Sequence, residues 1–393
     1  MTFSPNELAR LRADTPACSE VLHFNNAGAG LMPQPVCEAV FQHLALERDI
    51  GGYEAEASAR GAIEHMYEAF AQLLHADASE IAYVENATRA WDMAFYALPL
   101  KQGDRILTHT SEYASNYLAF LQLARSRGLE IDVAPSDASG QIDVEALRSL
   151  ITPKTRVIAI THVPTQGGLV NPAAEVGKVA REHGLTYLLD ACQSVGQMDV
   201  NVREIGCHIL SGTGRKFLRG PRGTGFLYVS NQIVDRLEPP FIDLHAATWI
   251  NEDTYELSPG AKRFENWESY VAGRIGLATA VDYALDIGLA EIGTRVESLG
   301  ARLRATLSDF GATVHDQGMR KCGIVTFSLA NKQAREIAAL LKAQGCNVSV
   351  SEPSSARLDL GRRNLPPVLR ASVHYYNTEE EVDRFGRIVS EIA

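Results

Sequence analysis

From about residue 80, the chain alternates short apolar runs with longer segments of helical periodicity. Helical segments follow the runs IAYVEN, DRILTH and RVIAITHV, and two further apolar runs are YLLDAC and GFLYV. This alternation predicts a mostly parallel sheet that is covered by helices on both faces. The segment NPAAEVGKVAREHG predicts one of these helices, with Asn171 as its cap, Pro172 in its first turn and Gly184 at its end.

The alternation changes at about residues 263 to 275, and beyond it long helical segments are joined by fewer strands. A chain of 393 residues is also too long for one compact core. We therefore predict an α/β protein with an N-terminal arm, a large domain and a smaller α+β C-terminal domain. The predicted bounds are residues 1–20, 21–265 and 266–393.

Composition and charge argue against several kinds of partner. The formal net charge of −11 argues against a nucleic-acid-binding or anionic-membrane surface. The first twenty residues lack a secretory-signal pattern, and no apolar run is long enough to span a bilayer. Because the sequence has no CxxC pair and no HExxH motif, we expect a cytoplasmic protein without disulfides or a metal site. Its scattered cysteines are Cys18, Cys37, Cys192, Cys207, Cys322 and Cys346.

An acid and an amine follow two neighbouring predicted strands. Asp190 ends the run YLLDAC, and Lys216 lies in the glycine- and arginine-rich segment 211–225. Ligands of open parallel sheets bind beyond the carboxyl ends of the strands. There, an acid and an amine can hold pyridoxal phosphate, with the lysine joined to its aldehyde as an imine and the acid keeping its ring nitrogen protonated.

Other residues at the same sheet edge provide what this cofactor needs. Asn86, Ala87 and Thr88 lie at a predicted helix start, where backbone N–H groups bind phosphate, and Thr213 can close the phosphate site. Tyr113 can stack on a flat ring. The simpler alternatives are a helix cap or ion-pair role for Asp190 and a plain phosphate contact for Lys216. A nucleotide-binding loop is a further alternative, although neither GxGxxG between a strand and a helix nor GxxxxGK[ST] is complete.

Taken together, these motifs resemble the class V aminotransferase superfamily of fold-type I pyridoxal-phosphate enzymes, which includes cysteine desulfurases and selenocysteine lyases. The resemblance extends from FNNAGAGLMPQPV (24–36) to RASVHYYNTEEEVDRF (370–385) and includes the block DACQSVGQ. It implies the fold-type I fold and a role for each matching residue. The implied roles are the imine for Lys216, the ring nitrogen for Asp190, the ring hydroxyl for Gln193 and Thr165, the phosphate for Thr213, and the substrate carboxylate for Arg370.

Three departures from the family pattern are informative. Tyr113 stands where many desulfurases stack a histidine, and Arg215 stands where a histidine usually precedes the imine lysine. Arg215 is therefore predicted to bind the cofactor, because it adds a permanent charge near the phosphate. Desulfurases also place a persulfide-forming cysteine upstream of the carboxylate arginine, whereas residues 352–369 contain none. Cys322 and Cys346 lie farther back, and we expect them to be small buried strand residues. Persulfide-forming desulfuration is therefore disfavoured.

Five further segments narrow the resemblance, namely NNAGAGLMP, GGYEAE, SEYASN, HVPTQGGLVNP and GRKFLRGPRGTGFLYV. In this combination the chain most resembles the branch of hercynylcysteine sulfoxide lyases, of ergothioneine biosynthesis, and isopenicillin N epimerase-like enzymes. It implies a carbon–sulfur β-lyase of S-substituted cysteines or their sulfoxides that releases a sulfur species, pyruvate and ammonia, with Lys216 as general base. Transamination, epimerisation and cysteine desulfuration or selenocysteine lysis remain alternatives that use the same cofactor. A nucleotide-binding protein remains the distant alternative.

Aromatic residues with nearby glutamates are candidates for the substrate side chain. Tyr53 in GGYEAE and Trp267 in FENWESY can hold a quaternary ammonium, although interface or core packing with solvated acids is the favoured explanation. Asn26 is assigned to the substrate together with Arg370. The family resemblance also implies a homodimer with sites at the subunit interface, and Ser269 is a candidate for reaching the neighbour's phosphate.

Overall fold

The computed structural model describes residues 3–330 and 332–392. Within these ranges the chain forms thirteen α-helices. They are α1 (Pro5–Ala13), α2 (Gln34–Ile50), α3 (Gly52–Ser58), α4 (Arg60–Leu74), α5 (Ala87–Tyr96), α6 (Ala114–Arg127), α7 (Val144–Ser149), α8 (Ala173–Glu182), α9 (Val202–Ile205), α10 (Val271–Ile287), α11 (Leu289–Asp309), α12 (Ala334–Ala343) and α13 (Glu379–Ile392).

The same ranges contain fifteen strands. They are β1 (Leu22–His23), β2 (Ile81–Val84), β3 (Arg105–His109), β4 (Glu130–Ala134), β5 (Thr155–Thr161), β6 (Thr186–Asp190), β7 (Ile209–Thr213), β8 (Gly225–Val229), β9 (Ala247–Asn251), β10 (Thr254–Leu257), β11 (Thr313–Val314), β12 (Ile324–Ser328), β13 (Cys346–Asn347), β14 (Ser349–Ser351) and β15 (Val368–Ser372).

A seven-stranded sheet of order β2-β8-β7-β6-β5-β3-β4 forms the centre of the molecule. The strands from β4 to β7 pair in parallel, and β8 runs antiparallel to both its neighbours. Leu188 and Leu189 of β6 pack in different hydrophobic clusters, because successive side chains of a strand point to opposite faces. The predicted α/β architecture with a mostly parallel, doubly covered sheet is confirmed.

A second, four-stranded antiparallel sheet of order β11-β12-β15-β14 lies in the C-terminal part. Helices α11, α12 and α13 contribute to its hydrophobic cluster, which also contains Phe24 and Leu22 from near the N-terminus. Strand β1 pairs with β13, so residues 22–23 add to the C-terminal part of the molecule rather than to the large sheet. The division into domains 21–265 and 266–393 stays a prediction. Helix α10 lies beyond the predicted boundary, yet it packs against α2 and α4 of the predicted large domain.

The helix predicted in NPAAEVGKVAREHG exists as α8, but the predicted cap is wrong. Pro172 occupies the cap position, where no side chain caps the helix. The Asn171 side chain instead accepts from Ile142 N at 3.1 Å and donates to Thr161 O at 2.8 Å. Tertiary hydrogen bonds therefore hold the Asn171 side chain, which the local sequence pattern assigns to helix capping. Gly184 follows the helix end as predicted, with φ of +63°.

Short 3₁₀ segments and a π-helical turn complete the structure. The π-helical turn spans Arg357–Gly361, within the cysteine-free segment 352–369. Among the described residues, none of the helices has the length and apolar character needed to cross a bilayer.

Candidate active site

Polar residues at the carboxyl ends of three parallel strands line one cavity of about 240 Å³. Thr161, Asp190 and Thr213 are the last residues of β5, β6 and β7. The complete lining is Asn86, Ala87, Thr88, Tyr113, Asn116, Thr161, Val163, Thr165, Asp190, Cys192, Gln193, Thr213, Arg215 and Lys216. The residues that the sequence predicts at a cofactor are all in this set.

Asp190 is buried, and each of its oxygens accepts a hydrogen bond. Oδ1 accepts from Cys192 N at 2.9 Å, and Oδ2 accepts from Asn116 Nδ2 at 2.9 Å. In the described part of the chain it neither caps a helix nor forms an ion pair, which were its simpler alternatives. Burying a carboxylate costs free energy unless a positively charged group lies next to it. The carboxylate therefore suits a protonated ring nitrogen.

Lys216 lies in the turn that joins β7 to β8, and its backbone is held on several sides. Arg215 O accepts from Gly30 N at 2.8 Å, and Lys216 O accepts from Arg219 N at 3.0 Å. Burial lowers the pKa of Lys216 from its ordinary value; the Asp190 carboxylate opposes that shift, and Arg215 reinforces it. A lowered pKa makes the neutral, nucleophilic amine more available.

The same turn argues against a nucleotide-binding loop. The glycine-rich segment after β7 leads into β8, whereas nucleotide-binding loops of this kind join a strand to a helix. The geometry therefore favours Lys216 as a reactive amine over Lys216 as part of such a loop.

The N-terminus of α5 provides one end of the cavity. Asn86 caps the helix, with its Oδ1 accepting from Arg89 N at 2.9 Å, and Ala87 and Thr88 line the cavity. A Cβ on Gly225 would lie 2.7 Å from the Asn86 backbone carbon, so glycine permits this close approach of β8 to the helix start. Free N–H groups at a helix start favour a phosphate.

Gln193 and Thr165 form a polar group at another part of the cavity. Gln193 Nε2 donates to Ala27 O at 3.1 Å and to Thr165 Oγ1 at 3.0 Å. Gln193 Oε1 is buried without a partner among the described residues. An unpaired buried acceptor is costly, so this oxygen suits a hydroxyl donor on a bound molecule.

Arg370 of β15 contacts this group from the C-terminal sheet. Its Nη1 donates to Thr165 O at 3.1 Å and also to Thr165 Oγ1, and its Nη2 donates to Asn25 Oδ1 at 3.4 Å. Its Nε is buried without a partner among the described residues. Burial and the neighbouring Arg215 lower the pKa of Arg370 to about 10, so the guanidinium stays charged at neutral pH.

Tyr113 precedes α6 and lines the cavity with a side chain that is 36% exposed. Its backbone N–H donates to Glu112 Oε1 at 2.8 Å and to Thr161 Oγ1 at 3.1 Å. The backbone that carries the aromatic ring is therefore fixed at the cavity edge.

Tyr53, Trp267 and Ser269 lie outside this cavity. They line a second cavity of about 700 Å³, together with Glu47, Gly52, Glu54, Glu56, Glu85, Glu268, Tyr270 and Val271. Tyr53 and Trp267 are 72% and 61% exposed, so neither is packed in a core of the chain. Glu85 lines the second cavity and the next residue, Asn86, lines the first, so the two cavities adjoin.

Asn26 does not line the cavity. Its side chain is fully buried, donates to Ser372 O at 2.8 Å and accepts from the Tyr376 hydroxyl. It is Asn25 whose amide contacts Arg370. A substrate role for Asn26 stays a prediction.

Sequence reasoning assigned no role to Asn116, Glu112 and Thr161. A signal for the first two was present in SEYASN, where Glu112 comes just before a predicted helix start and Asn116 follows it by four residues. For Thr161, the signal was its position at the end of the apolar run RVIAIT.

All six cysteines are free. Cys322 and Cys346 are buried as predicted, although Cys322 lies just before β12 rather than in it. Cys192 lines the cavity, but burial raises the pKa of its thiol far above the ordinary range, which disfavours the reactive thiolate.

Comparisons with known proteins find one family along nearly the whole chain. The family model described as "Aminotransferase class-V" matches residues 22–385. A probable cysteine desulfurase of Methanothermobacter thermautotrophicus is 30% identical, over 98% of this chain and 97% of the relative. A probable cysteine desulfurase of Xylella fastidiosa strain Temecula1 is 32% identical, over 96% and 93%. The apo structure of a cysteine desulfurase from Thermococcus onnurineus NA1 has a TM-score of 0.92 at 28% identity and covers 98% of this chain and 97% of its own.

Proposed function

The chain belongs to the class V aminotransferase family of pyridoxal-phosphate enzymes, and on that premise we propose that it is a lyase that cleaves the Cβ–S bond of an S-substituted cysteine. The family and the cofactor predicted from the sequence are thereby confirmed. The observation that carries the proposal is the single cavity lined by Lys216 and Asp190, combined with the absence of cysteine from residues 352–369.

The donor set fits the cofactor. We propose that the start of α5, with Thr88 and Thr213, holds the phosphate, that Gln193 Oε1 meets the ring hydroxyl, and that Asp190 meets the ring nitrogen. When bound, the cofactor supplies an electron-withdrawing ring that makes the α-proton of an amino acid acidic. Gln193 Oε1 is the buried acceptor that otherwise has no partner in the described chain.

The chain's own residues then orient the substrate and move its proton. Arg370, which contacts the cavity residue Thr165 without lining the cavity itself, holds the substrate carboxylate through donors that include Nε–H, which has no partner among the described residues. Lys216, with its lowered pKa, removes the α-proton as general base. Loss of this proton and departure of the sulfur group from the β-carbon leave a double bond whose hydrolysis gives pyruvate and ammonia. Tyr113 covers a face of the site as an aromatic wall.

A cysteine desulfurase is the second candidate, and the names of the relatives favour it. That activity needs an enzyme thiol that accepts sulfur as a persulfide. Cys322 and Cys346 are buried, and burial raises the pKa of each of their thiols. This supports release of the sulfur group from an S-substituted substrate over its transfer to the protein.

The finer proposal is a substrate of the hercynylcysteine sulfoxide type, which carries a trimethylammonium group. The second cavity supports it, because its lining combines aromatic faces with five glutamates. W267A should raise KM for a trimethylammonium substrate more than for S-methylcysteine. Equal changes in the two KM values would contradict a cation site at Trp267.

We also propose a homodimer with the active sites at the subunit interface. Large exposed apolar side chains support it, among them Phe41, Leu118, Leu244 and Trp249. Whether Ser269 reaches the partner's phosphate and whether the enzyme is cytoplasmic remain predictions.

A substrate panel tests the reaction. Cysteine, S-methylcysteine and its sulfoxide are incubated with the holoenzyme without a keto-acid co-substrate, and pyruvate, ammonia, alanine, enzyme-bound persulfide and the enantiomeric purity of the remaining substrate are measured. Pyruvate and ammonia from the S-substituted compounds are expected. Alanine with persulfide from cysteine would instead establish the desulfurase, and racemised substrate would establish an epimerase.

A further inference from the structure

Glu112 is a buried carboxyl that the proposed reaction does not use. It is 5% exposed and does not line the cavity, yet it precedes Tyr113, which does. Burial raises the pKa of Glu112 to about 7, while hydrogen bonds from Thr161 and Asn116 oppose the shift. A buried carboxyl with a perturbed pKa next to a ligand site needs an explanation.

Four donors surround this carboxyl. Oε2 accepts from Thr108 Oγ1 at 3.0 Å. Oε1 accepts from Tyr113 N at 2.8 Å, from Asn116 Nδ2 at 2.9 Å and from the Thr161 hydroxyl. Three of these donors belong to residues that line the cavity, so one oxygen atom holds together three parts of its wall.

Asn116 joins the two buried carboxyls. Its Nδ2 carries two hydrogens, and the two acceptors within 2.9 Å are Glu112 Oε1 and Asp190 Oδ2. The hydrogen bond to Glu112 fixes the orientation of the Asn116 amide group. Its other Nδ2 hydrogen then fixes the rotation of the Asp190 carboxylate.

We propose that Glu112 is a positioning residue, which through Asn116 and the backbone of Tyr113 sets the orientation of the acid and the aromatic ring that meet the cofactor. The contacts of Oε1 all require an acceptor, and an amide oxygen accepts as a carboxylate oxygen does. The shape of the contact therefore matters more than its charge. Glutamine preserves the arrangement, since the Thr108 hydroxyl can rotate to accept from the new amide, and alanine destroys it.

This inference rests on the proposed seating of the cofactor between Lys216 and Asp190. The test uses the apo forms of the wild type, E112A and E112Q, titrated with pyridoxal phosphate. Affinity is measured by fluorescence quenching, and the pH midpoint of the visible band is measured in the loaded proteins. The matched control is E80A, because Glu80 is a glutamate of similar burial, 1% exposed, that pairs with Arg203 instead.

E112A should bind the cofactor at least about tenfold more weakly, because three donors of the cavity wall lose the acceptor that they share, and should shift the pH midpoint. E112Q should stay within about twofold of the wild type in both measurements. E80A should lose thermal stability without either change.

Unchanged affinity and midpoint in E112A would overturn the inference, as would an E112Q defect equal to that of E112A. If E112A does not fold, N116A removes the amide bridge alone and must itself shift the midpoint for the inference to stand. A wild type that does not bind pyridoxal phosphate would refute the proposed seating of the cofactor rather than this positioning role.

Discussion

Replacing Arg370 by lysine separates the charge of the carboxylate site from its shape. Arginine has five N–H donors. Thr165 takes two of them through its carbonyl and hydroxyl oxygens, and Asn25 takes one at 3.4 Å. The Nε–H and the second Nη2–H remain, and two donors are what a substrate carboxylate needs. R370K keeps a positive charge and supplies one of these two bonds.

The expected loss follows from that count. One charge-assisted hydrogen bond contributes about 1.5–3 kcal/mol, so kcat/KM should fall about 10- to 150-fold, mainly through KM. Burial and Arg215 act on the new amine as they act on the guanidinium. An ordinary lysine loses its proton at a lower pH than arginine does, so the variant's charge should disappear at a lower pH than that of the wild-type guanidinium. KM of R370K should therefore rise at an alkaline pH at which the wild-type site keeps its charge.

Initial rates of pyruvate release from S-methylcysteine, measured from pH 6.5 to 9.5, provide both parameters. R335K is the matched control, because Arg335 forms an exposed ion pair with Glu352, and its KM should stay within about twofold of the wild type. An unchanged KM in R370K, or a loss confined to kcat, would refute the assignment of this arginine to the substrate carboxylate.

Three further predictions concern the cofactor bond, the turn that carries it and the buried histidines. K216A should lower kcat at least about 10³-fold, and borohydride should attach the cofactor to the wild type but not to the variant, as measured by intact mass. G30A should lower Tm by the equivalent of about 1–3 kcal/mol, because its Cβ would lie 2.6 Å from Lys216 O, whereas G61A in α4, with open space around its Cβ, should not lower it. Burial lowers the pKa of His109 to about 3 and of His162 to about 4, so below about pH 6.5 the unfolded chain binds protons that the folded chain does not. The unfolding free energy of the apo-protein should therefore fall by a few kcal/mol from about pH 6.5 to 4. Equal urea midpoints at pH 7.5 and 5 would contradict this.

The sequence predicted the large sheet and its ligand-binding edge because both depend on local signals. Strand residues such as those of β5 and β6 are apolar on both faces, and that pattern requires helices above and below. Asp190 and Thr213 stand out as polar residues where such runs end. Asn86 was placed at a helix start, because its contact with Arg89 N spans only three residues.

Contacts between distant segments could not be predicted in this way. Asn116 meets Asp190 across 74 residues, and Arg370 meets Thr165 across 205, so no periodicity connects them. Asn171 shows the converse, since a side chain suited to capping found better partners elsewhere in the fold. The two neighbouring asparagines 25 and 26 differ only in which way each faces, and that depends on packing against β15.

The turn that carries Lys216 is closed by both ends of the chain. Gly30 N donates to Arg215 O, and His374 Nε2 contacts Phe217 O at 2.8 Å. A nascent chain that has left the ribosome up to residue 229 has every strand of the large sheet but lacks the segment that carries Arg370 and His374. The contacts of this turn are therefore completed only after most of the polypeptide has been synthesised, and a chain shortened ahead of β15 would keep the Gly30 contact but lose the His374 contact together with Arg370.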